Sequence, residues 1–558
     1  MNFSKYIFAF SFFLSFYHLA LAQLPLNPFA PASSWPESHG TYCQQNSMVN
    51  AITELDSIVV DTITFPQSQF GFIPQGTIVS EFYDSSNVYC FWGCNGNAVY
   101  KAACTEDSTV LISKRLSDLG GGNSTSFCAL MDKNNYFYVL SDFKLLILRD
   151  SIVGDPYSAV VTDTILDLSS YQNGDELRGI KMLYSGELVV TSTSGKIIII
   201  DRINKNVLYD TNLNEAIINN MAVDEENNLY INTDTSLSKF YWDGDSLNLV
   251  WSIIIGRSGS TPTLIGNSTL PASQQLVAVT DMSHPNNLVL VWRDTIPAGW
   301  SAIPGWPIRV AAVQPITFNT AFPTVDVAPG QNSLMVENNS ILLARWTGLF
   351  PLSSVFNPGL EKWTWNPSSK LLTQDWVNTT TFFPNAMQCL STSNGYFYSI
   401  GEKFIGLSKY WTFEAIEWLT GTVKIQRVLG PHYYDGLNVK GSGVQIGPYG
   451  EIITMSNKMI FRFRKANAMF IKNVEAESEN NFTVFPNPAS VEINISVPTA
   501  NSFTISIFNE FGDIVKSDKN KSVMNISLLN AGVYYMKMEG ITNQNKKISG
   551  YKKIVLIK

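Results

Sequence analysis

A short phrase of strands and turns recurs along most of this chain, and it constrains the fold more than any other feature. Each copy has small or apolar residues, a polar turn, an aromatic and β-branched strand, a second turn and a second strand. Neighbouring copies start roughly 40 to 60 residues apart, a period typical of repeat architectures. The clearest copies begin within 129–139, 182–190, 221–231, 389–398 and 444–453.

This repeat predicts an all-β fold with a β-propeller. One sheet of about four short strands cannot bury both of its faces, whereas radial packing of several such sheets can. A β-solenoid would use shorter repeats, and separate sandwiches would need more linkers. We expect a propeller over residues 23–470, with blades near 77–115, 126–160, 178–215, 219–255, 260–312, 319–367, 386–428 and 441–468.

The blade count has two solutions. Eight segments match the repeat, but the sixth is irregular, so seven blades is the alternative. The alternating segment Ser57–Thr64 is a candidate to pair with the last blade and close the ring.

The first residues are typical of a secretory signal peptide. Lys5 precedes an apolar run from Tyr6 to Phe16, and Ala20-Leu21-Ala22 forms a small-x-small cleavage site. A membrane anchor is the alternative, but the run is short and no positive cluster follows it. We expect cleavage of residues 1–22, and no later segment is long and apolar enough for a transmembrane helix.

Six cysteines remain after that cleavage, and an even number in an exported chain favours disulfides. A metal site around Cys90 and Cys94 is the alternative, but a second paired cluster is missing and His39 is the only nearby imidazole. The six cysteines are Cys43, Cys90, Cys94, Cys104, Cys128 and Cys389.

The end of the chain is a separate module. A polar, acidic stretch at 471–481 is typical of a linker. After it, 492–497 and 503–508 alternate with period two, the pattern of half-buried strands. Residues 482–558 therefore predict a small β-sandwich.

This module resembles the type A C-terminal sorting domain of the type IX secretion system of Bacteroidetes. The matching residues are Phe485-Pro-Asn-Pro-Ala489, Phe508 with Gly512, Leu529 with Gly532-Val-Tyr534, and Lys552-Lys-Ile-Val555. The resemblance implies contact with the type IX machinery, export across the outer membrane, removal of the tail, and surface attachment or release. A carbohydrate-binding sandwich is the alternative.

The middle region is similar to quinoprotein-like propellers. Ser33–Gly40 with Gln44–Ser47 resembles their lead-in segment, and Ser260–Gly266 followed by Leu276–Asp281 resembles their blade cores. The adjacent cysteine pair of pyrroloquinoline quinone alcohol dehydrogenases is missing, which argues against that cofactor. The resemblance therefore implies shape, and the cofactor stays unknown.

Charge and motifs exclude several functions. Charged residues are 15% of the chain, the net charge is −8 and no basic block is present, so nucleic-acid binding is not expected. The sequence contains no nucleophile elbow, phosphate loop or His-Glu-x-x-His motif. Asp224 and Asp243 lie in calcium-like stretches without EF-hand spacing, and turns explain both, so no metal site is predicted.

One candidate catalytic group is His284, with Arg293 and Tyr434. His284 lies in the loop after Asp281, and an Asp, a His and an Arg near one blade edge could support proton abstraction or carboxylate binding. The alternative is a turn, since Pro285-Asn-Asn287 is typical turn chemistry and Asp281 can cap it.

Candidate binding residues are Trp363, Trp365, His432 and Tyr433. The two tryptophans alternate along one strand and so share a face, where they could stack on a sugar ring. Packing between blades is the alternative. Because no catalytic group stands out from its structural alternative, we favour an extracellular module that binds a glycan or protein over an enzyme, such as a polysaccharide lyase or hydrolase.

Overall fold

The chain divides into two compact units, Met1–Lys465 and Ala466–Lys558. The structure is a computed structural model. It describes residues 24–33, 35–37, 46–54, 58–71, 75–83, 86–122, 128–172, 175–258, 260–281, 286–319, 333–345, 358–383, 387–406, 408–431, 435–439, 442–465, 482–497, 500–509, 514–542 and 547–557.

Eight sheets, which we number as blades 1 to 8, make up the described part of the first unit. In each blade four consecutive strands pair antiparallel, and in blade 8 the fourth comes from the N-terminus. Blade 1 has β3 (Gln75–Tyr83), β4 (Val88–Cys94), β5 (Ala98–Cys104) and β6 (Thr109–Arg115); blade 2 has β7 (Ala129–Met131), β8 (Phe137–Ser141), β9 (Lys144–Asp150) and β10 (Val160–Asp167); blade 3 has β11 (Leu177–Met182), β12 (Leu188–Ser192), β13 (Lys196–Asp201) and β14 (Asn206–Asn212); blade 4 has β15 (Ala222–Val223), β16 (Asn228–Asn232), β17 (Ser236–Trp242) and β18 (Leu247–Ile254).

The second half of the unit repeats this order. Blade 5 has β19 (Thr263–Ile265), β20 (Leu276–Thr280), β21 (Asn287–Trp292) and β22 (Val310–Pro315); blade 6 has β23 (Met335–Glu337), β24 (Ser340–Ala344), β25 (Leu360–Asn366) and β26 (Leu371–Asn378); blade 7 has β27 (Cys389–Ser391), β28 (Tyr396–Ile405), β29 (Ser408–Glu417) and β30 (Val423–Pro431), with β1 (Asn46–Ser47) added beside β27; blade 8 has β31 (Gln445–Ile446), β32 (Ile452–Met455), β33 (Met459–Lys465) and β2 (Ile58–Thr64). The helical turns are 3-10: Gln67–Gln69, Ser117–Leu119, Ser169–Tyr171, Ala272–Gln274 and Asp435–Leu437.

The blades form a closed ring. First strands of successive blades contact one another, as β3 and β7 or β7 and β11 do. Strand β2 pairs with β33, which confirms the predicted closing strand over Ile58–Thr64. The last blade also meets the first, since Gln445 Nε2 donates to the Thr77 carbonyl at 2.7 Å. The predicted propeller is confirmed, and the sheets within the described ranges number eight rather than seven.

Burial explains why these residues form these strands. Every residue of β12 is buried and β13 is buried apart from its two ends, because neighbouring blades cover both of their faces. The outer strand β14 instead alternates, with Val207, Tyr209 and Thr211 more buried than the residues between them. Apolar runs thus mark the middle of a blade, and alternation marks its edge.

Buried charges join neighbouring blades. The Asp132 carboxylate accepts the N–H groups of Asn134 and Tyr136 in its own turn, which shapes the turn of blade 2. It also accepts the Tyr138 hydroxyl at 3.1 Å and Arg202 Nη1 of blade 3 at 2.7 Å. Asp132 therefore fixes both a turn and a contact between blades 2 and 3.

The expected disulfides are wrong for the five cysteines that the structure describes, since none is in a disulfide. Cys90 and Cys94 lie on one strand, where residues four apart are separated by about 13 Å. Cys104 pairs with Tyr89, so its side chain points to the opposite face of the sheet from Cys90. The first separation exceeds the Cα approach of about 7 Å that a disulfide requires, and in the second pair the Cβ atoms point apart, which also prevents a disulfide. Cys43 lies outside the described residues.

The second unit contains two packed sheets. The three-stranded sheet has the order β34 (Thr483–Phe485), β35 (Glu492–Ser496), β38 (Val523–Asn525); the four-stranded sheet has the order β37 (Ile514–Lys519), β36 (Ala500–Phe508), β39 (Gly532–Thr542), β40 (Lys547–Leu556). Their facing side chains, including Ile493, Ile505, Met536 and Met538, form one core. The predicted small β-sandwich is confirmed. Across both units, no described helix is long and apolar enough to cross a membrane.

Candidate functional site at the connection face

Chain direction gives the propeller two distinct faces. In a four-stranded antiparallel blade, the turn from second to third strand and the connection to the next blade lie at the same end. We call this end the connection face, and the end with the other two turns the opposite face. The connection 293–309, all of whose residues the structure describes, joins the third and fourth strands of blade 5 and lies at the opposite face.

The N-terminal lead-in, residues 24–54, contacts turns of the opposite face. Asn27 Nδ2 donates to the Leu183 carbonyl in the first turn of blade 3 at 3.0 Å, and Lys133 of blade 2 donates its N–H to Phe29. Asn394 in the first turn of blade 7 donates to the Ala51 carbonyl at 3.0 Å. The lead-in therefore covers part of the opposite face.

The middle of the lead-in reaches the inner strands. The Trp35 carbonyl accepts the N–H of Val79 in β3, and its ring fills the space that a Cβ on Gly443 would need. Glu37 forms a buried ion pair with Lys181 of β11 at 2.9 Å. Burial raises the pKa of Glu37, although Lys181 opposes that shift. Ser47, in β1, is paired beside β27.

The loop predicted to contain the catalytic histidine leaves and returns at the connection face. Asp281 accepts the Asn287 N–H at 2.6 Å and Asn287 Nδ2 at 2.9 Å, so it caps the turn. His284 lies outside the described residues, as do His432, Tyr433 and Tyr434. Their assigned roles remain predictions.

Arg293 does not belong with that loop, which corrects the predicted catalytic group. It follows the third strand of blade 5, and the six residues of β21 put it about 20 Å from Asn287. It is fully buried, with Nη1 donating to the Gly266 carbonyl at 2.8 Å and Nε to Asp294 at 3.1 Å. Arg293 is close to the histidine loop in sequence, but β21 lies between them, so the two are at opposite ends of blade 5.

Trp363 and Trp365 share a face, as alternation predicts, but that face is not an exposed platform. Their exposed fractions are 8% and 1%, and both pack between blades 5 and 6. Trp365 meets Trp292 edge to face at 5.6 Å and donates Nε1 to the Ser273 carbonyl. Trp363 Nε1 donates to Glu361 at 3.1 Å. Both rings have the packing between blades that was the alternative, and the binding role of this pair stays a prediction that their burial argues against.

Hydroxyl and amide groups are concentrated where the inner strands reach the connection face. The Ser260 hydroxyl accepts the N–H and the hydroxyl of Thr280 at 3.0 and 3.1 Å. Asn232 Nδ2 donates to the Ser260 carbonyl at 3.0 Å, while its buried Oδ1 has no partner among the described residues. Similar side chains lie at the same end of other blades: Ser141, Thr191, Ser192, Asn220, Thr233, Ser442 and Thr454.

An acidic cleft of about 360 Å³ lies between blades 2 and 3 at the connection face. Hydrogen bonds from Ser169 lower the pKa of Asp167. Asp175 accepts the Ser194 N–H at 3.2 Å. The cleft is lined by Asp142, Phe143, Lys144, Asp167, Ser169, Gln172, Asp175 and Glu176. Sequence reasoning missed it because these residues come from one turn and one inter-blade connection.

The buried thiols of blade 1 are not nucleophiles. Burial raises the pKa of Cys104 to about 11 and that of Cys90 further, so both stay protonated at neutral pH. Among the described residues, no group of three His, Cys, Asp or Glu side chains could hold a metal ion.

The comparison with protein families identifies the second unit. Residues 483–557 match the secretion system C-terminal sorting domain, which confirms the sequence resemblance. The domain is of the type that the type IX secretion system recognises, and it implies secretion to the cell surface or beyond.

Relatives of the whole chain add little about activity. An uncharacterized protein of Archaeoglobus fulgidus is 26% identical over 471 residues, covering 78% of this chain and 87% of its own. A quinohemoprotein alcohol dehydrogenase of Pseudomonas putida HK5 is similar at 10% identity and TM-score 0.49, covering 78% of this chain and 81% of its own. A europium-containing methanol dehydrogenase is similar at 8% identity and TM-score 0.48, covering 77% and 98%.

Proposed function

We propose that this protein is a ligand-binding propeller, exported by the type IX system and then attached to the cell surface or released. Its signal peptide (1–22) and its sorting domain are removed on the way. The binding surface is the connection face. The observation that supports this assignment is the path of the lead-in, which covers turns of the opposite face and inserts Trp35 and Glu37 among the inner strands. A ligand would therefore approach from the other side.

The chemistry of that face favours a neutral, polyhydroxylated ligand such as a glycan. The cleft at that face presents the exposed Ser169 hydroxyl and the Gln172 amide beside its carboxylates, and such groups form hydrogen bonds with sugar hydroxyls. Carboxylates of the cleft, such as Glu176, could accept further hydroxyl groups at the rim. A protein ligand is the alternative within the same proposal.

Retention on immobilised polysaccharides tests this proposal. The purified chain would be passed over starch, laminarin, pectin and alginate, followed by titration of any polysaccharide that retains it. Glu176→Trp fills the connection-face cleft, and Ile203→Trp places the same ring on an exposed turn of the opposite face of blade 3. We expect at least about tenfold weaker binding for Glu176→Trp and no change for Ile203→Trp. Equal losses, or no retention on any polysaccharide, would refute the glycan assignment.

The second candidate is an enzyme with a site near His284. What favours it is that Asp281 and Asn286 fix both ends of the histidine loop at the connection face. Release of new reducing ends or unsaturated products from the same polysaccharides would support it, provided that His284→Ala abolishes the release. If the wild type releases no product and His284→Ala only loses retention on the polysaccharide, the result supports binding without catalysis.

A further inference from the structure

The four-stranded sheet of the sorting domain has one face turned away from the core, which we call its outer face. One half of this outer face is apolar. Along β39 the side chains alternate: Tyr534 and Met536 point into the core, whereas Val533 and Tyr535 are 40% and 50% exposed. Tyr535 pairs with Phe508 of β36, which pairs with Ile514 of β37, itself 60% exposed. Side chains of directly paired residues point to the same face of a sheet.

Val555 of β40 completes this group opposite Val533. We call Phe508, Ile514, Val533, Tyr535 and Val555 the apolar half-face. They lie side by side across all four strands, at one end of the sheet.

The other half of the same face is polar apart from Ile541, which makes the apolar half distinctive. Thr504, Ser506, Ser517 and Lys519 occupy the outward positions of β36 and β37 there, and the Ser506 and Ser517 hydroxyls are 3.1 Å apart. An antiparallel sheet with one solvated face normally has polar residues over that whole face. A contiguous exposed apolar group on such a face marks an interaction surface.

The charge of the sorting domain indicates what kind of partner covers the apolar half-face. Lys553 pairs directly with Tyr535 and is exposed beside the half-face. Residues 482–558 contain nine lysines and five acidic residues, a formal charge of +4. A second copy would therefore bring like charges together, whereas a partner with carboxylates would complement them.

We propose that the apolar half-face is the surface with which the sorting domain docks a protein whose apolar contact area is edged by carboxylates. This proposal rests on the export route in the proposed function and is independent of what the propeller binds. Tyr535 lies at its centre, and Lys553 supplies the charge contact at its edge.

Export of the full chain from its own host tests the proposal. The fraction reaching the cell surface or medium would be compared for the double variant Val533→Thr/Tyr535→Ser and for Ile541→Thr. Ile541 is a matched control because it is 44% exposed on the same strand and face, at the other end. We expect export to fall about tenfold or more for the double variant and to stay unchanged for Ile541→Thr. Lys553→Glu, which alters only an exposed charge, should reduce export as well.

Further measurements separate the possible outcomes. If export continues after residues 483–557 are deleted, the export route itself is refuted. If the deletion stops export but the double variant is exported normally, only the docking surface is refuted. If thermal unfolding shows that the double variant is misfolded, Lys553→Glu decides the matter. If the wild type forms dimers that the double variant does not, the partner is a second copy and the proposal is overturned. If the wild type floats with phosphatidylglycerol vesicles and the double variant does not, the partner is a lipid surface and the proposal is likewise overturned.

Discussion

The two units of this protein use charge in different ways. Residues 24–465 contain 27 basic and 38 acidic residues, a formal charge of −11, whereas residues 482–558 have +4. In the propeller, buried ion pairs join adjacent blades, as Arg202 of blade 3 and Asp132 of blade 2 do at 2.7 Å. In the described part of the sorting domain, the ion pairs Lys521–Asp518 and Lys537–Glu539 are largely exposed.

The difference follows from how each unit is held together. A blade must recognise its neighbour among similar blades, and a buried charge penalises a wrong pairing because it is costly to leave unpaired. A sandwich of two sheets has a single interface, and the alternation of β39 is sufficient to define it. The comparison predicts that charge removal destabilises the propeller far more than the sorting domain.

The largest expected effect is from Arg462→Ala. The guanidinium is fully buried, pairs with Glu451 at 2.9 Å and also donates to the Ser108 carbonyl, so its removal leaves Glu451 buried without its cation. We expect a loss of about 3–5 kcal/mol in the free energy of unfolding. Urea denaturation followed by tryptophan fluorescence measures this for the propeller alone, because all 13 tryptophans precede residue 466.

The matched change in the sorting domain is Lys521→Ala. Its side chain is mostly exposed, so we expect a loss below about 1 kcal/mol, measured by hydrogen exchange of that unit. Similar losses for Arg462→Ala and Lys521→Ala would contradict the comparison.

A second effect concerns closure of the ring. The Phe65 N–H donates to Lys458 at 2.8 Å, so in this regular pairing the Ile63 N–H also points to β33 and the Thr62 N–H points away. Ile63→Pro should cost about 3 kcal/mol in propeller stability. Thr62→Pro should cost clearly less, and an equal cost would show that β2 does not close the ring through these bonds.

A smaller, pH-dependent effect is expected at Glu361. Burial raises the pKa of this carboxyl, although hydrogen bonds from Trp363 and Phe318 oppose the shift. A raised pKa in the folded state means that the folded protein holds the proton more tightly, so stability falls as the pH rises through the folded-state pKa. The wild type should therefore lose stability relative to Glu361→Gln across the pH range above the ordinary glutamate pKa of 4.5, measured by urea denaturation. A constant difference across this range would contradict the assignment.

A further small effect is expected from Trp365→Phe. Losing the bond from Nε1 to the Ser273 carbonyl should cost about 1 kcal/mol. Retention on a polysaccharide should not change, because the ring is buried between blades. Loss of retention with unchanged stability would restore Trp365 as a binding residue.

Much of the fold could be predicted from the sequence, because a blade is a local unit. The phrase at Ala129–Val139 predicted the start of blade 2, and the predicted closing strand differs from the observed Ile58–Thr64 by one residue. Blade ends were less accurate: blade 2 extends to Asp167 rather than 160, because the polar run Thr162-Asp-Thr164 interrupts the apolar residues of its outer strand.

The candidate site was harder to predict from the sequence, because its residues depend on which blades pack against each other. Alternation showed that Trp363 and Trp365 share a face but could not show that blade 5 covers it. The cysteine count suggested disulfides, whereas strand pairing directs Cys90 and Cys104 to opposite faces. One signal was overlooked: an Asp six residues before a Tyr, at Asp132 and again at Asp224, marks a turn whose carboxylate accepts the Tyr hydroxyl.

Hydrogen exchange on the exported protein, with and without a polysaccharide that retains it, tests the central claim most directly. We predict new protection at the connection face, in 167–176 and beside Asp281, with none in the turns around Lys133, Asn394 and Gly450 that contact the lead-in. Protection confined to those three turns would contradict the assignment of the binding surface.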